Sequence, residues 1–199
     1  MVALGINPLD KSRFVSEKLQ YFRYPVSRGN TKDVHPLVME TESKVIRAEG
    51  CVRAAEQLQQ SGFVPDLICA HPGWGESLFL KAVWRDAPLL CYQEFFYNEI
   101  GFDTGFDSEF QEERGWWNQA KLKMKNAYLY LALEQADWNV APTHFQASSF
   151  PEHWRKKISV IHDGVDTQKA IPNSSVEPLM LPDGVVIERG QPVITFVNR

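Results

Sequence analysis

Short apolar runs alternate with stretches of helical periodicity along this chain, and the alternation restricts its fold more than any other feature. Residues 67–70 (LICA), 87–92 (APLLCY), 138–142 (WNVAP) and 157–161 (KISVI) have strand length and turn or polar residues at their borders. The first of these is a continuous apolar run, which predicts a strand covered on both faces. Between residues 41 and 60 the apolar side chains Val45, Ala48, Val52, Ala55 and Leu58 recur at spacings of three and four, and Gly62 follows as a stop. This pattern predicts an amphipathic helix. A short helix is expected in SLFLKAVW, a second long one from about residue 112 to 135, and another in HFQASSF behind Thr143, a natural cap. Residues 1–6 read as a short buried strand ended by Asn7-Pro8, while the strand-like YFRYPV after it has no firm assignment. Strands that alternate with helices pair in parallel through crossover connections, so the expected fold is α/β: a doubly wound parallel sheet with helices on both faces. Beyond Pro172 the composition shifts to Pro, Asn and Ser. There LPDGVVIERGQPVITFV reads as strand, turn, strand, with Arg189-Gly190-Gln191-Pro192 as the turn of a hairpin or an interdomain strand.

Composition excludes several classes of function. With 44% hydrophobic and 23% charged residues in 199, the chain has the make-up of an ordinary globular protein. No apolar run is long enough for a membrane-spanning helix. Lys and Arg number 21 against 25 Asp and Glu, a net charge of -4, and no basic stripe with interleaved aromatics is present. Nucleic acid is therefore not expected as a partner. Cys51, Cys69 and Cys91 lie far apart without CxxC spacing, two of them inside apolar strand-like runs where a thiol acts as a small hydrophobe. Buried free thiols fit a reducing compartment, and MVALGINPLD lacks the basic start and cleavage site of a secretion signal. The expected location is the cytoplasm.

In doubly wound sheets ligands sit beyond the carboxyl ends of the strands, near a switch point in strand order. That rule directs attention to residues 71–77, 93–97 and 162–166. His71 leaves a predicted strand just ahead of a glycine-flanked turn, where an imidazole can hydrogen-bond a ligand hydroxyl or simply cap the strand end. Gly73 and Gly75 allow close backbone approach. Trp74 is either a ring-stacking platform or a core residue. Glu94 orients a hydroxyl, acts as a base, or is a solvated loop acid. Phe95, Phe96 and Tyr97 line a cleft or fill the core. Asp103 and Asp107 have a spacing that fits no EF-hand loop, and no metal is expected. Residues 155–157 form a solvated basic face, or one suited to anionic lipids.

Taken in order, PDLICAHPGWGESLFLK, APLLCYQEFFY, GFDTGFDSEF, ADWNVAPTHFQASSFP and KISVIHDGVDT resemble the amino-terminal domain of bacterial glycosyltransferases of family 4. The likeness spans residues 65–167, and GQPVITFVNR resembles the first strand of that family's second domain. It implies the GT-B architecture of two facing Rossmann-like domains. Residues 1–170 would then form the acceptor-side domain, without the strand and glycine-rich loop that open the family fold. Residues 171–199 would be a linker and the opening strand of the donor-binding domain, in a chain truncated at both ends.

The activity implied is transfer of a sugar from a nucleotide-diphosphate donor to a hydroxyl acceptor, with retention at the anomeric carbon, in glycan, lipid or polysaccharide biosynthesis. Its partners would be the nucleotide sugar, as co-substrate rather than cofactor, and a sugar or lipid-linked acceptor at the inner face of a membrane. The resemblance makes His71 and Glu94 the catalytic pair, although members usually have a histidine where Glu94 stands. It assigns Gly73, Trp74, Gly75, Glu76, Phe95 and Tyr97 to the acceptor cleft and Arg199 to the donor diphosphate, which guanidinium contacts in bidentate fashion. The truncated chain alone would be inactive. A rival reading is a non-catalytic Rossmann-like module that binds a small ligand or a partner. A second Rossmann-like domain with an Ex7E-type motif downstream would favour the transferase.

Overall fold

The computed structural model describes residues 1–9, 16–103, 106, 107, 109 and 115–194. It divides into two compact units, residues 1–162 and 163–199. In the first unit, β1 (Val2–Gly5) and β2 (Gln20–Arg23) pair in parallel as a two-stranded sheet of their own, Val2 opposite Gln20. Residues 1–6 thus form a strand, but a half-buried one, and YFRYPV supplies its partner.

The long helix α1 (Met39–Gln60) follows, with Glu40 and Glu42 in its first turn, where carboxylates offset the positive end of the helix dipole. It ends in a Schellman motif: Gly62 adopts φ +87°, its N–H bonds the carbonyl of Gln59, and the Phe63 N–H bonds that of Leu58. The buried stripe of α1 differs from the expected one. Ala48, Ala55 and Leu58 belong to it, but Val45 is 39% exposed, and the buried positions beside them are Lys44, Ile46 and Cys51. The face is set by residues 44, 48, 51, 55 and 58, one position earlier than the valines suggest.

Four parallel strands form the main sheet: β3 (Ile68–Ala70), β4 (Leu89–Tyr92), β5 (Trp138–Ala141) and β6 (Ile158–Val160), joined in that order. Helices flank it, as expected of a Rossmann-like α/β domain. The strands of this sheet follow chain order, so it contains no switch point. Edge position has a further effect on β3, whose Cys69 is exposed while Ile68 is buried. This strand is covered on one face, not two.

Between β3 and β4 the chain makes two 3-10 turns, Pro72–Trp74 and Glu76–Phe79, and the short helix α2 (Leu80–Val83). The single helix expected to reach residue 135 is instead two, α3 (Trp116–Lys125) and α4 (Ala127–Gln135). They break at Asn126, whose side chain is engaged by the Tyr97 backbone. Residues 110–114, where that helix was expected to begin, lie outside the described residues. Thr143 does cap α5 (His144–Ser149), its hydroxyl accepting the Gln146 N–H at 3.1 Å, and α6 (Glu152–Arg155) leads into β6.

Two apolar clusters hold this unit together. One joins Cys51, Ala55 and Leu58 of α1 to Ile68, Leu89 and Cys91 of the sheet and to Tyr24 and Trp84. The other joins Ala48 to Leu78, Phe96 and Phe150 and to Tyr128, Leu129, Ala132 and Leu133 of α4. Helix α1 serves both. Among the described residues no helix is long and apolar enough to cross a membrane.

In the second unit, β7 (Leu179–Met180) and β8 (Val186–Ile187) pair antiparallel as a hairpin. Its turn is at Asp183-Gly184, not at residues 189–192: Gly184 takes φ +87° and the Leu181 N–H bonds the Val185 carbonyl at 2.8 Å. An Asp-Gly pair supplies the positive φ that tight hairpins need, and so prevails over Arg189-Gly190, which makes a separate turn after β8. Residues 195–199, the rest of the expected second strand, lie outside the described residues.

Candidate active site

The site begins where β3 ends. His71 is extended and caps the 3-10 turn that follows, its Nδ1 accepting the Gly73 N–H at 3.2 Å. Pro72 supplies the fixed φ that such a start favours. Because Nδ1 is an acceptor, the imidazole proton sits on Nε2. That nitrogen lies 3.4 Å from Oε2 of Glu94, two residues beyond β4. Since β3 and β4 are neighbours, their carboxyl ends bring the two side chains together, and the Tyr92 ring, 5.8 Å from the imidazole, backs them.

Gly75 has a different task from Gly73. It adopts φ +98°, and a Cβ there would stand 2.4 Å from the backbone carbonyl of Lys44. Only glycine lets the turn lie this close to α1. Next to it, Glu76 turns inward and its Oε1 accepts the hydroxyl of Tyr24, itself 1% exposed, at 3.0 Å. Burial and the Glu76 carboxylate both raise the Tyr24 pKa, so the phenol stays protonated and remains the donor.

His71, Gly73, Trp74, Glu94, Phe95 and Tyr97 line one pocket of about 230 Å³. Gly75 and Glu76 are not in its wall; they set the path of the turn that carries Trp74. Arg199 lies outside the described residues. Trp74 is 55% exposed and so is no core residue; Lys44 Nζ and the Arg47 guanidinium stand 5.0 and 5.2 Å from its ring centroid. Phe95 joins an aromatic group with Tyr97, Phe102 and Phe145, while Phe96 is buried in the core.

Tyr97 is held from two sides. The buried Asn126 side chain pairs with its backbone as a strand would: Oδ1 accepts the Tyr97 N–H at 3.0 Å and Nδ2 donates to its carbonyl at 2.8 Å. An asparagine used this way interrupts the helix and fixes the pocket wall in one step. Lys125 Nζ lies 3.6 Å from the Tyr97 ring centroid, and burial raises the phenol's pKa. Phe96 is tied down as well, its N–H donating to Ser149 Oγ at 3.0 Å.

The same pocket is lined by residues that the sequence did not single out: Glu40 and Lys44 of α1, Tyr128 of α4, and Gln93. Gln93 is fully buried and donates from Nε2 to Asn139 Oδ1 at 2.8 Å, while its Oε1 has no partner among the described residues. Lys44 is 8% exposed, its Nζ between the rings of Trp74 and Tyr128 at 5.0 and 5.2 Å. Burial lowers its pKa. A signal for Lys44 does exist in the sequence: it stands one turn ahead of Ala48 in the 44, 48, 51, 55, 58 series.

A parallel α/β domain that sets an imidazole beside a carboxylate in an aromatic-lined pocket, at the carboxyl ends of adjacent strands, belongs to the class of Rossmann-like α/β domains, which place ligands at that end of the sheet. Its family is more specific. The family model described as "Glycosyl transferase family 4 group" matches residues 4–170, and the chain belongs to that family. The domain is thus that of a glycosyltransferase, with sugar donor and acceptor as its substrates in general terms. No curated protein matches the chain.

Proposed function

We propose that this domain forms the acceptor side of a retaining glycosyltransferase, which moves a sugar from a nucleotide-diphosphate donor to a hydroxyl of a glycan or lipid-linked acceptor. The observation that carries the reading is the 3.4 Å approach of His71 Nε2 to Glu94 Oε2 inside the pocket. An acceptor hydroxyl bound there would donate to the carboxylate of Glu94, which takes the proton as the new glycosidic bond forms. His71 holds the other side of that carboxylate through its Nε2–H. Trp74 offers a ring face for a sugar, and Tyr97 closes the opposite wall.

The transition state of sugar transfer is oxocarbenium-like, so the rate depends on placing the acceptor oxygen and on stabilising the departing diphosphate. In the two-domain architecture that the resemblance implies, the diphosphate contacts come from the donor-binding domain, Arg199 among them. A cytoplasmic location fits the same reading, because burial pushes the thiols of Cys51 and Cys91 up to about 12 and leaves them inert.

The test begins with a screen of nucleotide sugars on the two-domain enzyme, scored by release of the nucleotide diphosphate. Single-turnover kinetics of His71→Ala and Glu94→Gln with the donor so found should then show the rate falling by ~100-fold or more. Near-normal turnover in both variants would remove the pair from the mechanism.

A further inference from the structure

Helix α1 carries its one buried charge where a hydrophobic residue would complete the core stripe. Lys44 heads the series continued by Ala48, Cys51, Ala55 and Leu58, and it is 8% exposed. A methionine would fill the same volume without desolvating an ammonium, which is costly unless the charge is paired. Among the described residues no hydrogen bond or ion pair reaches Nζ; its neighbours are the ring faces of Trp74 and Tyr128. Aromatic faces attract a cation, but they accept no ordinary hydrogen bond from its three N–H groups. The direction left open is the pocket, which Lys44 lines.

The charges that act on Lys44, the carboxylates of Glu40 and Glu76 and the cations Arg47 and Lys125, cancel, and Glu94 in the pocket lining brings carboxylates and cations, Lys44 included, to three each; the case for an anion rests on Nζ itself, which has no carboxylate in contact among the described residues. Glu76 is further engaged by the Tyr24 hydroxyl. In the same pocket, the unpartnered Oε1 of Gln93 marks a second polar group that the fold does not satisfy. Of the five buried side-chain atoms without a partner among the described residues, Gln93 Oε1 is the one in this pocket's lining, so an unpaired acceptor and the unpaired ammonium of Lys44 share one cavity, where a ligand can complete the bonding.

We propose that Lys44 is a binding residue of this pocket and receives an oxyanion, phosphate or carboxylate, carried by the substrate. This rests on the reading of the pocket as the acceptor site and narrows it to acceptors that bear a negative group near the reacting sugar. Two sources share that chemistry, a sugar or lipid phosphate and the carboxylate of an acidic sugar.

Calorimetric titration of the chain with inorganic phosphate, with methyl β-glucuronide and with neutral methyl β-glucoside separates them. At least one anionic probe should bind more tightly than the neutral glycoside. That probe should lose roughly 10-fold or more in affinity in Lys44→Met and keep most of it in Lys44→Arg, as expected for a charge-assisted hydrogen bond. Which probe responds identifies the source. Lys44→Met should melt no lower than the parent chain, since it removes the desolvated charge, so a loss of binding is not a loss of fold. Equal binding of both anionic probes to the parent chain and Lys44→Met would overturn the proposal, as would an equal loss of the neutral glycoside. Should the Lys44-dependent binding hold while the two-domain enzyme transfers no sugar, the oxyanion site stands and the transferase reading falls. Sugar transfer with Lys44-independent binding removes this site alone.

Discussion

Replacing Asn126 by alanine tests whether one side chain fixes the pocket wall. The two bonds lost, 3.0 Å from the Tyr97 N–H and 2.8 Å to its carbonyl, come from a residue 5% exposed. Truncation leaves both backbone groups of Tyr97 without partners, and each orphaned group costs about 1–3 kcal/mol. Tyr97 is half-buried, so water recovers part of this. Alanine also favours helix where asparagine does not, which returns about 0.5 kcal/mol as α3 and α4 join. The net loss should be about 2–3 kcal/mol, or ~5–10 °C in Tm for a domain of this size. Urea unfolding followed by far-UV circular dichroism measures it. Asn126→Asp is the sharper control: it keeps an acceptor for the Tyr97 N–H but sets an oxygen against the Tyr97 carbonyl, so it should be no more stable than the alanine variant. If either variant unfolds within about 0.5 kcal/mol of the parent, the clamp does not hold Tyr97 as argued.

Two further expectations follow from the geometry. Gly75→Ala should cost about 3 kcal/mol or more in urea unfolding, because its Cβ would meet the Lys44 carbonyl at 2.4 Å and φ is +98°; a variant as stable as the parent would refute the close approach. Asp137 accepts from Lys81 Nζ at 2.9 Å and from the Leu89 N–H at 2.8 Å, which hold its carboxyl below the usual carboxylate range. A depressed folded-state pKa means the stabilisation is fully present above the unfolded value near ~4 and is lost as pH falls through the folded one. Asp137→Asn should therefore flatten the acid limb of the stability profile below about pH 4, by under ~1 kcal/mol because the side chain is 55% exposed. Identical profiles for the two proteins would rule the contribution out.

The parts of the fold legible in the sequence were those set by local pattern. The runs in β3, β4, β5 and β6 are short, apolar and bounded by turn residues, and each became a strand of one parallel sheet. Thr143 and Gly62 acted as cap and stop, because their chemistry depends only on adjacent backbone. What escaped depended on contacts far along the chain. Asn126 reads as one more polar residue in a helical stretch until Tyr97, 29 positions earlier, is brought against it. The partner of β1 was equally hidden, since nothing in QYFR states that it pairs with VALG.

Legibility of the site divides along the same line. The meeting of His71 and Glu94 was legible because the carboxyl end of a strand is a sequence position, and two neighbouring strands carry their ends to one place. Lys44 was missed because the helix was phased on Val45 and Val52, the more apolar residues, whereas burial follows the series through Cys51. Hydrophobicity alone assigns lysine to solvent, and for an isolated amphipathic helix that is the right assignment. In this domain the second turn of α1 lies against the 3-10 turns through Gly75, so position 44 faces the pocket between Trp74 and Tyr128 whatever its side chain. Glycine at position 75 permits the approach, the approach buries position 44, and a lysine there puts an ammonium in the pocket wall beside the His71 and Glu94 pair.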